Sequence, residues 1–202
     1  MEKTRLFAAT SNAGKVREFA LAGVELAGYE IAPLPHFREL PTVEETGETF
    51  EANARIKAMH YSGFTDELVF AEDSGLSVDA LGGAPGVYSA RFSGAGASDA
   101  ANNQLLLERL RSVTNRSARF VCVIALARRG RVLATFEGSV EGEILEEPRG
   151  AHGFGYDPLF YYPPSGCTTA ELEPSAKLAI SHRGRAFWAL TAWLNGQRET
   201  VA

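Results

Sequence analysis

LVFAEDSGLSVDALGGAPGVYSARFSG, residues 68–94, is the stretch on which the fold turns. Leu68-Val69-Phe70-Ala71 is a short apolar run bounded by turn residues, which reads as a buried strand. Glu72 and Asp73 follow at its carboxyl end, where open α/β sheets place their ligands. Ser74-Gly75 and Leu81-Gly82-Gly83-Ala84-Pro85-Gly86 are rich in turn formers and would let the backbone approach a ligand. A loop this long, carrying acids and hydroxyls, points to function more than to simple connection. A local use fits the same residues, since Asp73 could cap its own turn.

Upstream, Arg5 to Ala9 reads as a first strand and Thr10 to Gly14 as a turn. Val16, Phe19, Ala20 and Val24 then follow helical spacing. The segment Thr10-Ser11-Asn12-Ala13-Gly14-Lys15 therefore leaves a strand and opens a helix, a place that attracts phosphate. It is not a Walker A loop, because Val16 follows the lysine where that motif needs Ser or Thr. An ordinary strand–helix turn with a solvated lysine is the competing reading. A second helix is expected from Thr49 to Tyr61, with Phe50, Ala54 and Ala58 on one face. Acids near its start suit the helix dipole, which accounts for Glu48 and Glu51 better than for Glu44-Glu45. If that doublet faces Glu72-Asp73, the acids repel unless a divalent cation lies between them. Hard oxygen ligands with substrate phosphates are the usual setting for Mg²⁺.

Downstream, Ser98 and Asp99 look like the start of a third helix, with Leu106, Leu110 and Val113 turned inward. Phe120 to Ala127 reads as a buried strand. Val132, Ala134 and Phe136 alternate on a returning one. A glycine-rich loop, Gly150 to Gly155, leads into Tyr156-Asp157-Pro158 and a short strand, Leu159-Phe160-Tyr161. Phe154-Gly155-Tyr156-Asp157 offers aromatics for stacking and a carboxylate for a base or sugar; core aromatics beside a capping Asp would look the same. The last helix is expected from Gly184 to Gly196. Ser181-His182-Arg183 stands just before it, with Lys177 upstream. Cations at a helix start oppose its dipole and call for an anion or polar acceptor nearby. The pattern predicts a mixed-sheet α/β domain with a cleft.

Composition narrows the function classes. The 202 residues are 45% hydrophobic and 22% charged, which suits one domain spanning 1–202. No apolar stretch approaches the ~18 residues of a membrane span, and Met1 to Arg5 shows no signal-peptide pattern. Cys122 and Cys167 form no metal or redox spacing, and Cys122 is expected to be a small buried hydrophobe. These features lead to the expectation of a cytoplasmic protein. The net charge of −5 argues against gripping a nucleic-acid polymer and favours a small phosphorylated ligand held by a few local cations.

Five blocks taken together resemble the inosine triphosphate pyrophosphatase family, enzymes that hydrolyse non-standard purine nucleoside triphosphates. They are TSNAGKVREF from Thr10, EETGETFEANARIKA from Glu44, AEDSGLSVDALGGAPGVYSARFSG from Ala71, HGFGYDPLF from His152 and SHRGRA from Ser181. They occur in family order and span nearly the whole chain. Departures are slight: Ser11 stands where small residues vary, and His152 replaces a common glycine.

The resemblance implies a twisted mixed β-sheet flanked by helices, two lobes around a central cleft, and a homodimer. It implies that Thr10, Ser11, Asn12, Ala13, Gly14 and Lys15 cradle the triphosphate, and that Glu44 and Asp73 hold Mg²⁺, with Glu72 as a further candidate. Asp73 would also prepare the attacking water, and Ser74 would touch substrate. Phe154, Gly155, Tyr156 and Asp157, with Lys177, His182 and Arg183, would hold the purine. Arg91 also matches the family, but a structural ion pair is the expectation there. The activity implied is cleavage of dITP, ITP and XTP to the nucleoside monophosphate and pyrophosphate. A pyrophosphatase for a modified pyrimidine, or a nucleotide sensor without catalysis, are the rival readings. The donors at His182-Arg183 argue against the first, and intact Glu44, Glu72, Asp73 and Lys15 against the second.

Overall fold

Seven strands form one sheet in the order β2-β1-β3-β4-β5-β6-β7. The structure, a computed structural model, describes residues 3–23 and 28–199. β1 (Thr4–Ala8) lies between β2 (Tyr29–Pro33) and β3 (Leu68–Val78) and pairs with both in parallel. β4 (Ser117–Arg128), β5 (Arg131–Ile144), β6 (Phe160–Tyr162) and β7 (Cys167–Thr168) continue antiparallel. The sheet is thus mixed, as the sequence predicts. The β4–β5 hairpin turns at Arg129 and Gly130, both at positive φ (51° and 73°).

β3 does not stop at Ala71. It runs on through Glu72, Asp73, Ser74 and Gly75 because the whole strand pairs with β4, from Val69↔Ala127 to Val78↔Ala118. The turn-forming composition is overridden by this long antiparallel partner. Gly75 is required there, since a Cβ would collide with the Ser89 hydroxyl and the Gly86 carbonyl. The parallel pairing with β1 covers only Leu68 to Phe70. The two acids therefore stand just beyond the end of the parallel half, where β1 has given way to a helix.

Helices cover both faces. α1 (Ala13–Ala22) and α5 (His182–Glu199) pack one face, where Phe19, Phe187 and Leu190 meet Leu6, Phe70, Cys122 and Ile124. α2 (Phe50–Ser62) packs the other, with Ala54, Ala58 and Tyr61 against Val69, Ala71, Val123 and Ala125. α3 (Asp99–Arg109) closes the far end, burying Leu106 and the following Leu110 with Leu76, Phe120 and Tyr156. α4 (Pro174–Ile180) was not anticipated; Pro174 at its first turn starts it.

Caps set the helix boundaries. Thr49 accepts from Ala52 N–H at 3.1 Å and Ser98 from Ala101 N–H at 3.2 Å. Ser181 accepts from Gly184 N–H at 3.1 Å. That cap starts α5 at His182 rather than Gly184, and the helix runs past Gly196 to Glu199. Val24, expected to extend the apolar face of the first helix, lies outside the described residues. Among the described residues, no helix is long and apolar enough to cross a membrane.

Candidate active site

Glu72 and Asp73 are neighbours on β3, so their side chains leave opposite faces of the sheet. Glu72 faces α1 and α5. Its carboxylate pairs with Lys15 at 2.5 Å and lies 3.9 Å from Arg183 Nε. The buried Cys122 thiol donates to its Oε2 at 3.5 Å. Cys122 is thus buried as expected, and also bonded to the site. Burial opposes the Glu72 charge, but Lys15, Arg183 and Lys57 outweigh it and hold the carboxyl well below the usual range. Glu72 is therefore a fixed anion at neutral pH.

Asp73 faces α2. Lys57 donates to its Oδ1 at 2.9 Å and Asn53 to its Oδ2 at 3.3 Å. Lys57 also donates to Glu45 at 2.7 Å, while Asn53 Oδ1 accepts from Gly47 N–H at 2.7 Å. These bonds tie the acidic loop to α2. Gly47 is needed there, because a Cβ would fall 2.6 Å from the Ala52 Cβ and 2.9 Å from the Asn53 nitrogen. Of the acidic doublet, Glu45 reaches Lys57, and Glu44 is exposed. Burial pushes the Asp73 carboxyl up; Lys57 pulls it back only partly, and Glu45 and Glu72 add to the rise. For Lys57, burial works against the ammonium, but Asp73, Glu45 and Glu72 keep its pKa above the ordinary lysine value.

A second buried network lies on the α1/α5 face. Glu18, on the inner side of α1, accepts from Lys177 at 2.8 Å and pairs with Arg183. Lys177 also donates to Asp157 at 2.6 Å, and Asp157 accepts from Thr169 at 2.9 Å and from Phe154 N–H at 2.8 Å. Arg183 reaches the Ser74 hydroxyl at 2.9 Å. Burial opposes ionisation of Glu18, but Arg183 and Lys177 overcome it and lower its pKa. The anion that cations at a helix start call for is therefore Glu18, from another helix. The Phe154 ring lies 4.9 Å from Lys177 Nζ and 5.5 Å from the Arg183 guanidinium carbon, in cation–π range.

His182 stacks on Phe120 with ring centroids 4.8 Å apart, and its Nδ1 is buried without a hydrogen-bond partner. Burial, then Arg183 and Lys177, push its pKa far down. It is a neutral imidazole with one ring nitrogen to spare. Arg91 has no acid partner among the described residues; it lies 5.2 Å from the Tyr88 ring centre.

One cavity of about 130 Å³ gathers most of the expected residues. Asn12, Lys15, Ser74, Phe154, Gly155, Tyr156, Asp157, Lys177, His182 and Arg183 all line it. Asp73 lies across the sheet from it. Thr10, Ser11 and Ala13 line a neighbouring groove with Arg17, His36 and Arg38. The N–H groups of Gly14 and Lys15 are already taken by Asn12 Oδ1, at 2.9 and 3.1 Å. What this loop offers an anion is the Lys15 charge and the helix dipole.

Sequence reasoning missed Glu18, Lys57 and Asn53 as site residues. The signals were present: Glu18 follows Lys15 by three residues and Lys57 follows Asn53 by four, spacings that share a helix face.

The Mg²⁺ implied by the family resemblance can be tested against these donors. Among the described residues, no group of three or more His, Cys, Asp or Glu side chains could hold a metal alone. Asp73 and Glu45 are nonetheless two hard carboxylates gathered around one positive charge, the Lys57 ammonium. Mg²⁺ commonly takes one or two carboxylates and completes its shell with water and phosphate. The donor set fits that habit.

A mixed α/β sheet with a cationic cavity at the end of its parallel half, floored by a buried acid–base network, defines a site for a small anionic ligand. The chain belongs to the Ham1 family, whose model matches residues 6–193. A dITP/XTP pyrophosphatase of Bacillus licheniformis is 51% identical over 189 residues, covering 93% of this chain and 96% of that protein. One from Exiguobacterium sp. is 50% identical over 188 residues, covering 93% and 95%. The structure of a HAM1 protein from Coxiella burnetii superposes with a TM-score of 0.86 at 43% identity, covering 96% of this chain and 99% of that one.

Proposed function

We propose that this chain, acting as one domain, is a Mg²⁺-dependent dITP/XTP pyrophosphatase that releases a nucleoside monophosphate and pyrophosphate. The observation that carries this reading is a single cavity lined by Lys15, Asp157, Lys177, His182 and Arg183. The 50–51% identity to dITP/XTP pyrophosphatases over most of the chain supports it. The same family reading makes the working enzyme a cytoplasmic homodimer.

Lys15 faces the β- and γ-phosphates in this scheme, with Thr10 to Gly14 beside it. The base sits in the cavity beside the Phe154 ring, within reach of His182. A 6-oxo group accepts hydrogen bonds, so it satisfies the spare Nδ1 of His182 in its N–H form; the 6-amino group of adenine would set donor against donor. Unpaired buried polar groups of this kind can enforce discrimination of roughly 10⁴ or more. The α-phosphate then lies at the edge of β3 left open beyond Phe70, where β1 no longer pairs and Asp73 on the other face is within reach. Asp73 orients the attacking water and takes its proton, and Lys57 holds Asp73 in place. When bound at Asp73 and the Glu44-Glu45 doublet, Mg²⁺ supplies charge neutralisation for the phosphates. Catalysis rests on positioning and electrostatics, with no covalent intermediate.

Pyrophosphate release measured across dITP, XTP, dGTP, dATP and modified pyrimidine triphosphates tests the reading. Strong preference for dITP and XTP is expected. Comparable kcat/KM for dITP and dATP would sink it.

A further inference from the structure

Among the described residues, Lys57 is the one cation paired with Asp73 or with Glu45. Its ammonium donates to Asp73 Oδ1 at 2.9 Å and to Glu45 Oε2 at 2.7 Å. These are the two carboxylates that the donor set offers to a metal. Asp73 is also fixed without Lys57: Asn53 donates to its Oδ2 at 3.3 Å and itself accepts from Gly47 N–H at 2.7 Å. The Lys57 and Asp73 side chains are 13% and 11% exposed, whereas Glu45 is 32% exposed. The cluster is thus open to solvent chiefly on the Glu45 side.

The ammonium stands where a metal bound to both carboxylates would carry its charge. Two carboxylates and one ammonium leave a single uncompensated negative charge for an arriving ion. A divalent cation placed on Asp73 Oδ1 would meet the ammonium at close range, where two positive charges repel strongly because the half-buried cluster screens them poorly. The lysine stem is flexible and its three donors rotate freely, so Lys57 can leave Asp73 when another strong acceptor arrives. The oxygens of a triphosphate are such an acceptor. Lys57 fixes Asp73 in the free enzyme, and Asn53 keeps it fixed once the ammonium turns away.

Resting on the reading of this chain as a Mg²⁺-dependent pyrophosphatase, we propose that Lys57 is a positioning residue that holds the place of the divalent cation in the free enzyme. It keeps such ions off Asp73 until a triphosphate arrives, so that nucleotide and metal enter together. The sign of its effect separates this role from that of an ordinary structural lysine. Losing a structural lysine loosens the two carboxylates and weakens metal binding. Losing a place-holder strengthens it.

Mn²⁺ serves as the probe, its free concentration read by electron paramagnetic resonance while nucleotide-free protein is titrated. Lys57→Met and Lys57→Gln remove the charge, and each is expected to bind Mn²⁺ about tenfold more tightly than wild type, or better. Lys57→Arg keeps the charge and should bind as weakly as wild type. Adding Asp73→Asn to Lys57→Met should abolish the gain, which locates the ion. Thermal midpoints give a second readout, since an ion that binds the folded state raises them: Mn²⁺ should raise that of Lys57→Met more than that of wild type. Unchanged or weaker Mn²⁺ binding in Lys57→Met would overturn the proposal, as would Lys57→Arg behaving like Lys57→Met. If the uncharged variants do not fold, wild type alone decides. Its Mn²⁺ affinity without nucleotide should fall well below that with an uncleavable α,β-methylene analogue of dITP bound, and equal affinities would overturn the proposal. A wild type that releases no pyrophosphate from dITP would overturn the functional reading instead. An active wild type whose uncharged variants gain no Mn²⁺ affinity would overturn the place-holder alone.

Discussion

Glu18→Gln is the most informative single substitution, because it removes one charge from the middle of a buried network. Glu18 is 8% exposed and binds two cations, Lys177 at 2.8 Å and Arg183, which are 4% and 2% exposed. After the change Lys177 keeps Asp157 at 2.6 Å, but Arg183 is left with the more distant Glu72 at 3.9 Å and a neutral Ser74. Breaking a buried pair from one side costs about 3–5 kcal/mol. Glutamine keeps one oxygen for one cation, which places the expected loss near the lower figure. For a chain of this length each kcal/mol lowers Tm by roughly 2–4 °C, so a fall of about 6–12 °C is expected. The pH dependence supplies an independent check. The Glu18 pKa is lowered in the folded state, so its stabilisation is fully present above the ordinary carboxylate value of 4.5 and fades as pH falls through the lowered one. The difference in urea stability between wild type and variant should be constant near neutral pH and shrink below 4.5. A melting point within 2 °C of wild type, or a difference that persists undiminished in acid, would refute the reasoning.

Other substitutions bear on the chemistry. Asp73→Asn should lower kcat by about 10²–10⁴. Because burial raises the Asp73 carboxyl above its ordinary 3.8, the wild-type rate should fail on its acid side above that value, and the variant's residual rate should lack this limb; near-normal turnover at saturating Mg²⁺ would remove Asp73 from the chemistry. Lys15→Ala should raise KM and, by leaving buried Glu72 without its nearest cation, destabilise the fold by about 1–3 kcal/mol; unchanged kinetics would mean that Lys15 serves structure alone. Chelating divalent ions should abolish pyrophosphate release, with Mg²⁺ restoring it, and full activity in chelator would exclude the proposed metal role. Hydrolysis in ¹⁸O-water should label the nucleoside monophosphate, since in-line attack on the α-phosphorus makes pyrophosphate the leaving group; label in pyrophosphate would move the attack to the β-phosphorus.

Much of this protein was legible in the chain alone. The apolar runs at 68–71 and 120–127 announced two central strands. Thr49 and Ser98 announced the starts of two helices. The five ordered blocks led to the family. Local chemistry sufficed for these, because caps, turns and apolar periodicity are properties of neighbouring residues. The length of β3 was not legible, since Ser74 and Gly75 belong to turn vocabulary and only pairing with β4 keeps them extended. From that one fact the division of the acids follows. Adjacent residues on a continuous strand face opposite sides, so Glu72 went to Lys15 and Arg183, and Asp73 to Lys57 and Asn53. The partners of Lys177 and Arg183 were equally out of reach, because Glu18 lies 159 and 165 residues away in sequence. Sequence determined which groups this protein carries and the local structure around each. Which carboxylate faces which cation was decided only by packing, because burial makes every such charge costly until a partner from another element meets it.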